Sequence, residues 1–160
     1  MSPDAAEAVR IDPAAPDETE TVRQLFREYA DWLEVDLCFQ GFEEELAGLP
    51  GAYVPPAGGL WLARVEGKLA GVVALRPHDA GRCELKRLWV RPGFRGHGLG
   101  RCLVEVAIAA GRKAGHGRLC LDTLGQMTAA RPLYESLGFS EIEAYYDNPL
   151  EDVRYMELAL

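Results

Sequence analysis

Between residues 88 and 105 the sequence reads LWVRPGFRGHGLGRCLVE, and this segment restricts the fold more than any other. An apolar run ends at Val90 and Arg91, and Pro92 has no N–H with which to extend a strand. Gly96, Gly98 and Gly100 follow, and then Leu99, Leu103, Val106 and Ala110 recur at helical spacing over a predicted helix from Leu99 to Ala114, stopped by Gly115. Glycines between a strand and a helix strip side chains from the turn, so that successive main-chain N–H groups can close on an anion beneath a positive helix terminus. By physics this is a diphosphate cradle, with a purely structural glycine turn as the alternative reading. No Gly-Lys-Ser/Thr follows, which excludes a Walker P-loop. Asp122 lies 22 residues past Gly100, a spacing that a dinucleotide fingerprint also allows. Against that alternative stand the antiparallel character of the preceding elements and the arginines, Arg95 and Arg101, that bracket the glycines.

The rest of the chain supplies the frame. A short first strand is predicted near Val9–Ile11, behind a disordered leader over 1–8. A helix follows over about 18–35, capped by Asp17, with Val22, Leu25, Phe26, Tyr29, Trp32 and Leu33 on one face. A short helix fits 41–48, and the proline- and glycine-rich stretch 49–59 is a loop. LWLARVE and AGVVALRP read as a hairpin turning at Glu66–Gly67–Lys68, and a second turn at 78–82 leads into CELKRLWV. Beyond the helix, RLCLDT is a buried strand, 127–137 a helix ended by Gly138, and FSEIEAYY and RYMELAL a closing strand pair about Asp147–Asn148–Pro149. With 160 residues and neither repeats nor a linker, this is one α/β domain over 1–160.

Charge and ligand chemistry narrow the function. The net charge of −8 conceals a basic block: Arg82 to Arg118 holds nine basic residues and two acids. Residues 1–49 carry a net −10 and residues 132–160 a net −6. A nucleic-acid binder needs a broad basic surface, whereas this arrangement suits one compact polyanion. Cys38, Cys83, Cys102 and Cys120 form no C-x-x-C pair and the three histidines are scattered, so no metal site is expected. No apolar run reaches membrane-spanning length, and the acidic N-terminal stretch lacks the marks of a targeting peptide. The expected compartment is the cytoplasm, and a homodimer is left open.

Three motifs in order carry a resemblance. RGHGLG at 95–100 matches the R/Q-x-x-G-x-G/A motif of the GCN5-related N-acetyltransferase (GNAT) superfamily, LWV at 88–90 resembles its cofactor-pairing strand, and PLYESLGF at 132–139 resembles its second motif. The likeness is good over about 60–160 and holds in outline over 9–50. FQ at 39–40, LP at 49–50, CELKRLWV, LDTL and YYDNP resemble a bacterial subgroup of small acetyltransferases. The resemblance implies a single-layer, mixed, mostly antiparallel sheet with helices on both faces and a central splayed parallel strand pair, here 83–91 and 118–123. It implies acetyl-CoA as co-substrate, with Leu88, Trp89 and Val90 along the pantetheine arm and Arg95, Gly96, His97, Gly98, Leu99, Gly100 and Arg101 at the diphosphate. One departure is Met127, where many relatives carry a cofactor-contacting Asn; Thr128 or main chain is available in its stead.

Acetyl transfer needs a neutral amine, hence a proton acceptor, and a proton donor for the departing thiolate. A main-chain N–H around Leu88 to Val90 is the natural partner for charge developing on the thioester oxygen. By resemblance Glu84 is the general base or water relay, Asp122 the alternative base, and Tyr134 the residue that protonates the thiolate and contacts the cofactor. Desolvation is expected to raise the Glu84 pKa; a salt bridge to Lys86, on the same strand face, is its structural alternative. For Asp122 the alternative is a turn cap, and for Tyr134 plain core packing. The acceptor is expected to be an amine of a small molecule or peptide, a cationic one if the acidic walls steer it, with Tyr145, Tyr146 and Asn148 lining its cleft. A non-catalytic acyl-CoA sensor or partner-binding module on the same fold is the competing function, and transfer of a longer acyl group a weaker third.

Overall fold

Alternation along the central strands, interrupted at bulges, divides the apolar side chains between two faces of one sheet. The computed structural model describes residues 8–34, 37, 41–79, 81–125, 127–150 and 152–160; Cys38, the Phe39–Gln40 pair and positions 1–7 of the expected leader lie outside them. The elements run β1 (Val9–Pro13), α1 (Thr19–Leu33), α2 (Phe42–Ala47), β2 (Gly59–Val65), β3 (Lys68–Asp79), β4 (Arg82–Val90), α3 (Leu99–Lys113), β5 (Arg118–Leu124), α4 (Ala130–Ser136), β6 (Ser140–Ile142) and β7 (Val153–Ala159). Seven strands form one sheet in the order β1-β2-β3-β4-β5-β7-β6. On one face Val73, Leu75, Leu85, Leu119 and Leu121 pack against Leu103, Val104 and Ala107 of α3. On the other, Leu62, Val72, Ala74 and Trp89 meet Val22, Leu25 and Phe26 of α1 and Phe42 and Leu46 of α2. The mixed sheet sandwiched by helices is the architecture that the sequence implies. Among the described residues no helix is long and apolar enough to cross a membrane.

The site is made by one local departure from regularity. β4 and β5 pair in parallel only over Arg82–Glu84 and Arg118–Cys120. Beyond that, β4 stays with β3 to Val90 while β5 stays with β7 to Leu124, so the two strands part. A bulge accompanies the parting: β3 places Val72 opposite Trp89 and Ala74 opposite Lys86, so Arg87 and Leu88 together oppose Val73. Arg87 takes a positive φ of 58°. A bulge bends and twists its strand, and it reverses the alternation, so that Leu85 and Leu88 both face α3.

Two expected elements differ. Asp17 does not cap α1; it sits inside a 3-10 turn over Pro16–Glu18, and the Glu18 carboxylate accepts from the Ala15 N–H at 2.9 Å. The expected strand over 139–146 stops at Ile142, because Tyr145 and Tyr146 turn onto the sheet face to hydrogen-bond carboxylates there.

Candidate active site

Gly96 and Gly98 have φ of 84° and 78°, and a Cβ on either would meet nothing within 4 Å. Conformation, not crowding, therefore demands glycine, since side-chain-bearing residues rarely take positive φ. Gly100 lies inside α3 and needs no such freedom. Among the described residues no acceptor reaches the main-chain N–H groups of Gly96 to Arg101, and the first bond of the helix runs from Cys102 N–H to Gly98 O at 3.1 Å. Consecutive donors at a helix start fit a diphosphate.

From this turn a groove of about 330 Å³ runs along β4 between Leu88–Val90 and the segment Met127–Leu133. Of the sequence-derived cofactor residues, Leu88, Trp89, Val90, Arg95, Gly96, Gly98, Leu99 and Gly100 line it. His97 is exposed at the tip of the turn, and Arg101 turns aside to donate to Ser136 Oγ at 2.9 Å. Met127 and Thr128 both border the groove, and the Thr123 hydroxyl lies 3.7 Å from Met127 Sδ.

The basic block does not act as one anion patch. Arg91 makes a two-point contact with Glu28 at 3.0 and 2.8 Å, and Arg87 does the same with Glu45 at 3.0 and 2.8 Å. Arg82 pairs with Asp79 and Glu157, and Arg118 with Glu157. Arg95 donates Nε–H to the Val90 carbonyl at 3.0 Å and stacks over Trp32 and Trp89. Arg87 of β4 and Arg91 just beyond it are thus matched by acids of the first two helices.

Where β4 and β5 part, the groove adjoins a small cavity of about 30 Å³ bordered by Lys86 and Leu88 of β4, Asp122 and Thr123 of β5, and Tyr134 of α4. Tyr29 of α1 borders both spaces. Tyr134 is buried and its ring packs on Phe139; its hydroxyl makes no hydrogen bond among the described residues. Burial pushes the phenol pKa up, with Tyr29 and Asp122 adding to the rise. Asp122 is half-buried in mid-strand, so it is no turn cap; its Oδ2 accepts a short hydrogen bond from the Tyr146 hydroxyl.

Glu84 departs from expectation. Its side chain is only 1% exposed. Arg76 Nε and Nη2 reach its Oε1 at 2.9 and 2.8 Å, and the Tyr145 hydroxyl donates to Oε2 at 2.7 Å. Lys86 Nζ stands 3.9 Å from Oε2. Burial acts to raise this carboxyl's pKa, but Lys86, Arg76 and the Tyr145 hydroxyl together hold it below the usual carboxylate range. The expected upward shift is corrected to a downward one, because desolvation is outweighed by paired charge. Lys86 itself is buried, and burial pulls its pKa below the ordinary lysine value against the field of Glu84.

Arg76 is the partner that sequence reasoning missed. It faces Glu84 directly across the β3–β4 pair, and counting outward from the turn at 78–82 would have found it. The role of Arg87 in the bulge left no local signal.

A sequence model of the acetyltransferase (GNAT) family matches residues 19–139. An uncharacterized N-acetyltransferase of Schizosaccharomyces pombe is 41% identical over 147 residues, covering 91% of this chain and 90% of that protein. Among solved structures, a GNAT-family acetyltransferase of Staphylococcus aureus superposes with a TM-score of 0.79 at 20% identity, over 95% of this chain and 99% of that one. A Salmonella typhimurium acetyltransferase solved with its cofactor acetyl-CoA gives 0.73 at 20% identity, over 95% and 94%.

Proposed function

The chain belongs to the acetyltransferase (GNAT) family, and from that premise we propose that it moves an acetyl group from acetyl-CoA to a primary amine of a small molecule or peptide, by direct attack in a ternary complex. One observation carries the reading: the groove that starts at the Gly96–Arg101 donors leads to a cavity bordered by both a buried phenol and a carboxylate. Acetyl-CoA, when bound, supplies an activated thioester. The donors of Gly96 to Arg101 would hold its diphosphate, and Leu88–Val90 its pantetheine arm. Tyr134 retains its proton throughout the neutral range, so it can deliver that proton to the departing sulfur, and the proton that nitrogen sheds as the amide forms restores the phenol, directly or through water. Asp122 is the favoured base, because Glu84 is committed to Arg76 and Tyr145 and serves to fix the strand pair beneath the cavity. Asp122 Oδ1, which no hydrogen bond reaches among the described residues, can take a proton from the acceptor ammonium, directly or through water.

The finer reading is a cationic acceptor. Its support is the acidic charge of residues 1–49, on a segment whose Tyr29 and Leu33 border the cavity. Asp12, Glu18, Glu20, Glu28, Glu43 and Glu45 are already paired with arginines, so among the described residues Asp17, Asp31, Glu34 and Glu44 would carry the field. The test is thiol release from acetyl-CoA over a panel of cationic and anionic amines. Turnover favouring cationic amines supports both readings. A preference for anionic amines removes only the steering, and coenzyme A binding without turnover replaces the enzyme by a sensor.

A further inference from the structure

Asn148, Tyr146 and Asp122 form a hydrogen-bonded row whose direction is fixed by the backbone. The Leu150 N–H donates to Asn148 Oδ1 at 2.9 Å, which settles how the amide is turned. Asn148 Nδ2 therefore faces Tyr146 and donates to its oxygen at 2.8 Å. A phenol has one hydrogen, and with its oxygen already accepting from Asn148, that hydrogen goes to Asp122 Oδ2. Among the described residues no hydrogen bond reaches Asp122 Oδ1, on the residue that borders the cavity shared with Tyr134.

We propose that Tyr146 and Asn148 are positioning residues which hold Asp122 as a one-sided carboxylate, with Oδ2 engaged and Oδ1 presented to the acceptor. The inference rests on the acetyl-transfer reading for its consequence, though not for its geometry. Beyond Tyr146 the row runs through the Asn148 amide, whose oxygen accepts from the Leu150 N–H; a neutral amide does not give up its protons, so the row orients Asp122 rather than relaying its proton. In the reaction an N–H bond of the acceptor ammonium breaks, its electron pair stays on nitrogen, and the proton bonds to Oδ1. Tyr146 keeps its own proton throughout, and Asp122 returns the captured one to solvent after product leaves. An unbraced carboxylate could rotate either oxygen toward the cavity or away from it, and reactive geometry is lost steeply with such freedom.

The experiment compares the wild-type chain with Tyr146→Phe, Asn148→Asp and Asp122→Asn. Proton NMR of the folded protein should show a slowly exchanging hydroxyl resonance, absent in Tyr146→Phe and displaced in both Asp122→Asn and Asn148→Asp. The Asn148→Asp variant keeps the acceptor for Leu150 N–H but turns the other atom from donor to acceptor, which draws the phenol proton away from Asp122. In steady-state kinetics Tyr146→Phe and Asn148→Asp should each lower kcat about tenfold, with KM for acetyl-CoA within about twofold. A hydroxyl signal indifferent to Asp122→Asn, or kcat unchanged in Tyr146→Phe, overturns the proposal. If the resonances behave as stated but no amine elicits thiol release from wild-type protein, the brace stands and the acetyl-transfer reading falls.

Discussion

Replacing Glu84 by Gln separates a structural carboxylate from a catalytic one. The substitution keeps size and an acceptor oxygen but removes the charge between Arg76 and Lys86, at a side chain 1% exposed. Breaking a buried ion pair by removing one member costs about 3–5 kcal/mol. Arg76 remains 37% exposed and can recover some hydration, so the lower end of about 3 kcal/mol is expected. Against a domain stability of about 5–15 kcal/mol this is a large loss. Urea unfolding at pH 7 measures it as a fall in midpoint at constant m. The pH dependence adds a signature. A carboxyl whose folded pKa lies below its unfolded value contributes stability that is complete above the unfolded value, near 4.5, and that fades as pH falls through the folded value. The gap between wild type and Glu84→Gln should therefore narrow below about pH 4. With Asp122 as the proposed base, the folded variant should keep kcat within about threefold. A variant as stable as wild type with turnover lost a hundredfold would refute the reasoning and restore Glu84 as the base.

Gly96→Glu should abolish coenzyme A binding in calorimetry, because it puts a side chain on a positive-φ position and a like charge among the diphosphate donors; unchanged heats would remove the cradle from the site. Tyr134→Phe should lower kcat about a hundredfold with little change in coenzyme A affinity, and an undiminished rate would return this tyrosine to the core. Arg87→Met should lower stability by about 3 kcal/mol, as Glu45 loses its two-point partner; an unaltered urea midpoint would show that the bulge stands without this pair.

Much of the architecture was legible because period-2 and period-3.6 patterns rarely coincide: β2, β3, β4 and α3 follow from alternation and from the Leu99–Leu103 stripe. The glycine turn was legible through its own chemistry. What escaped was set across strands. Arg76 meets Glu84 through register, and the reversal of Glu84 from a raised to a lowered pKa depends on that meeting. Tyr145 and Tyr146 look like strand residues, yet their hydroxyls find carboxylates on the sheet face, and that gain outcompetes a longer pairing with β7. The Arg87 bulge has no local cause in the sequence; a bulky residue with positive φ is held by its bond to Glu45, 42 positions earlier.

The two-point grips of Glu28 on Arg91 and Glu45 on Arg87 bind the first two helices to the strand that floors the groove. Chimeras would expose this dependence. Grafting the first fifty residues of a relative onto this chain, in the hope of transplanting its acceptor preference, would strand two arginines unless the matching acids travelled with the graft.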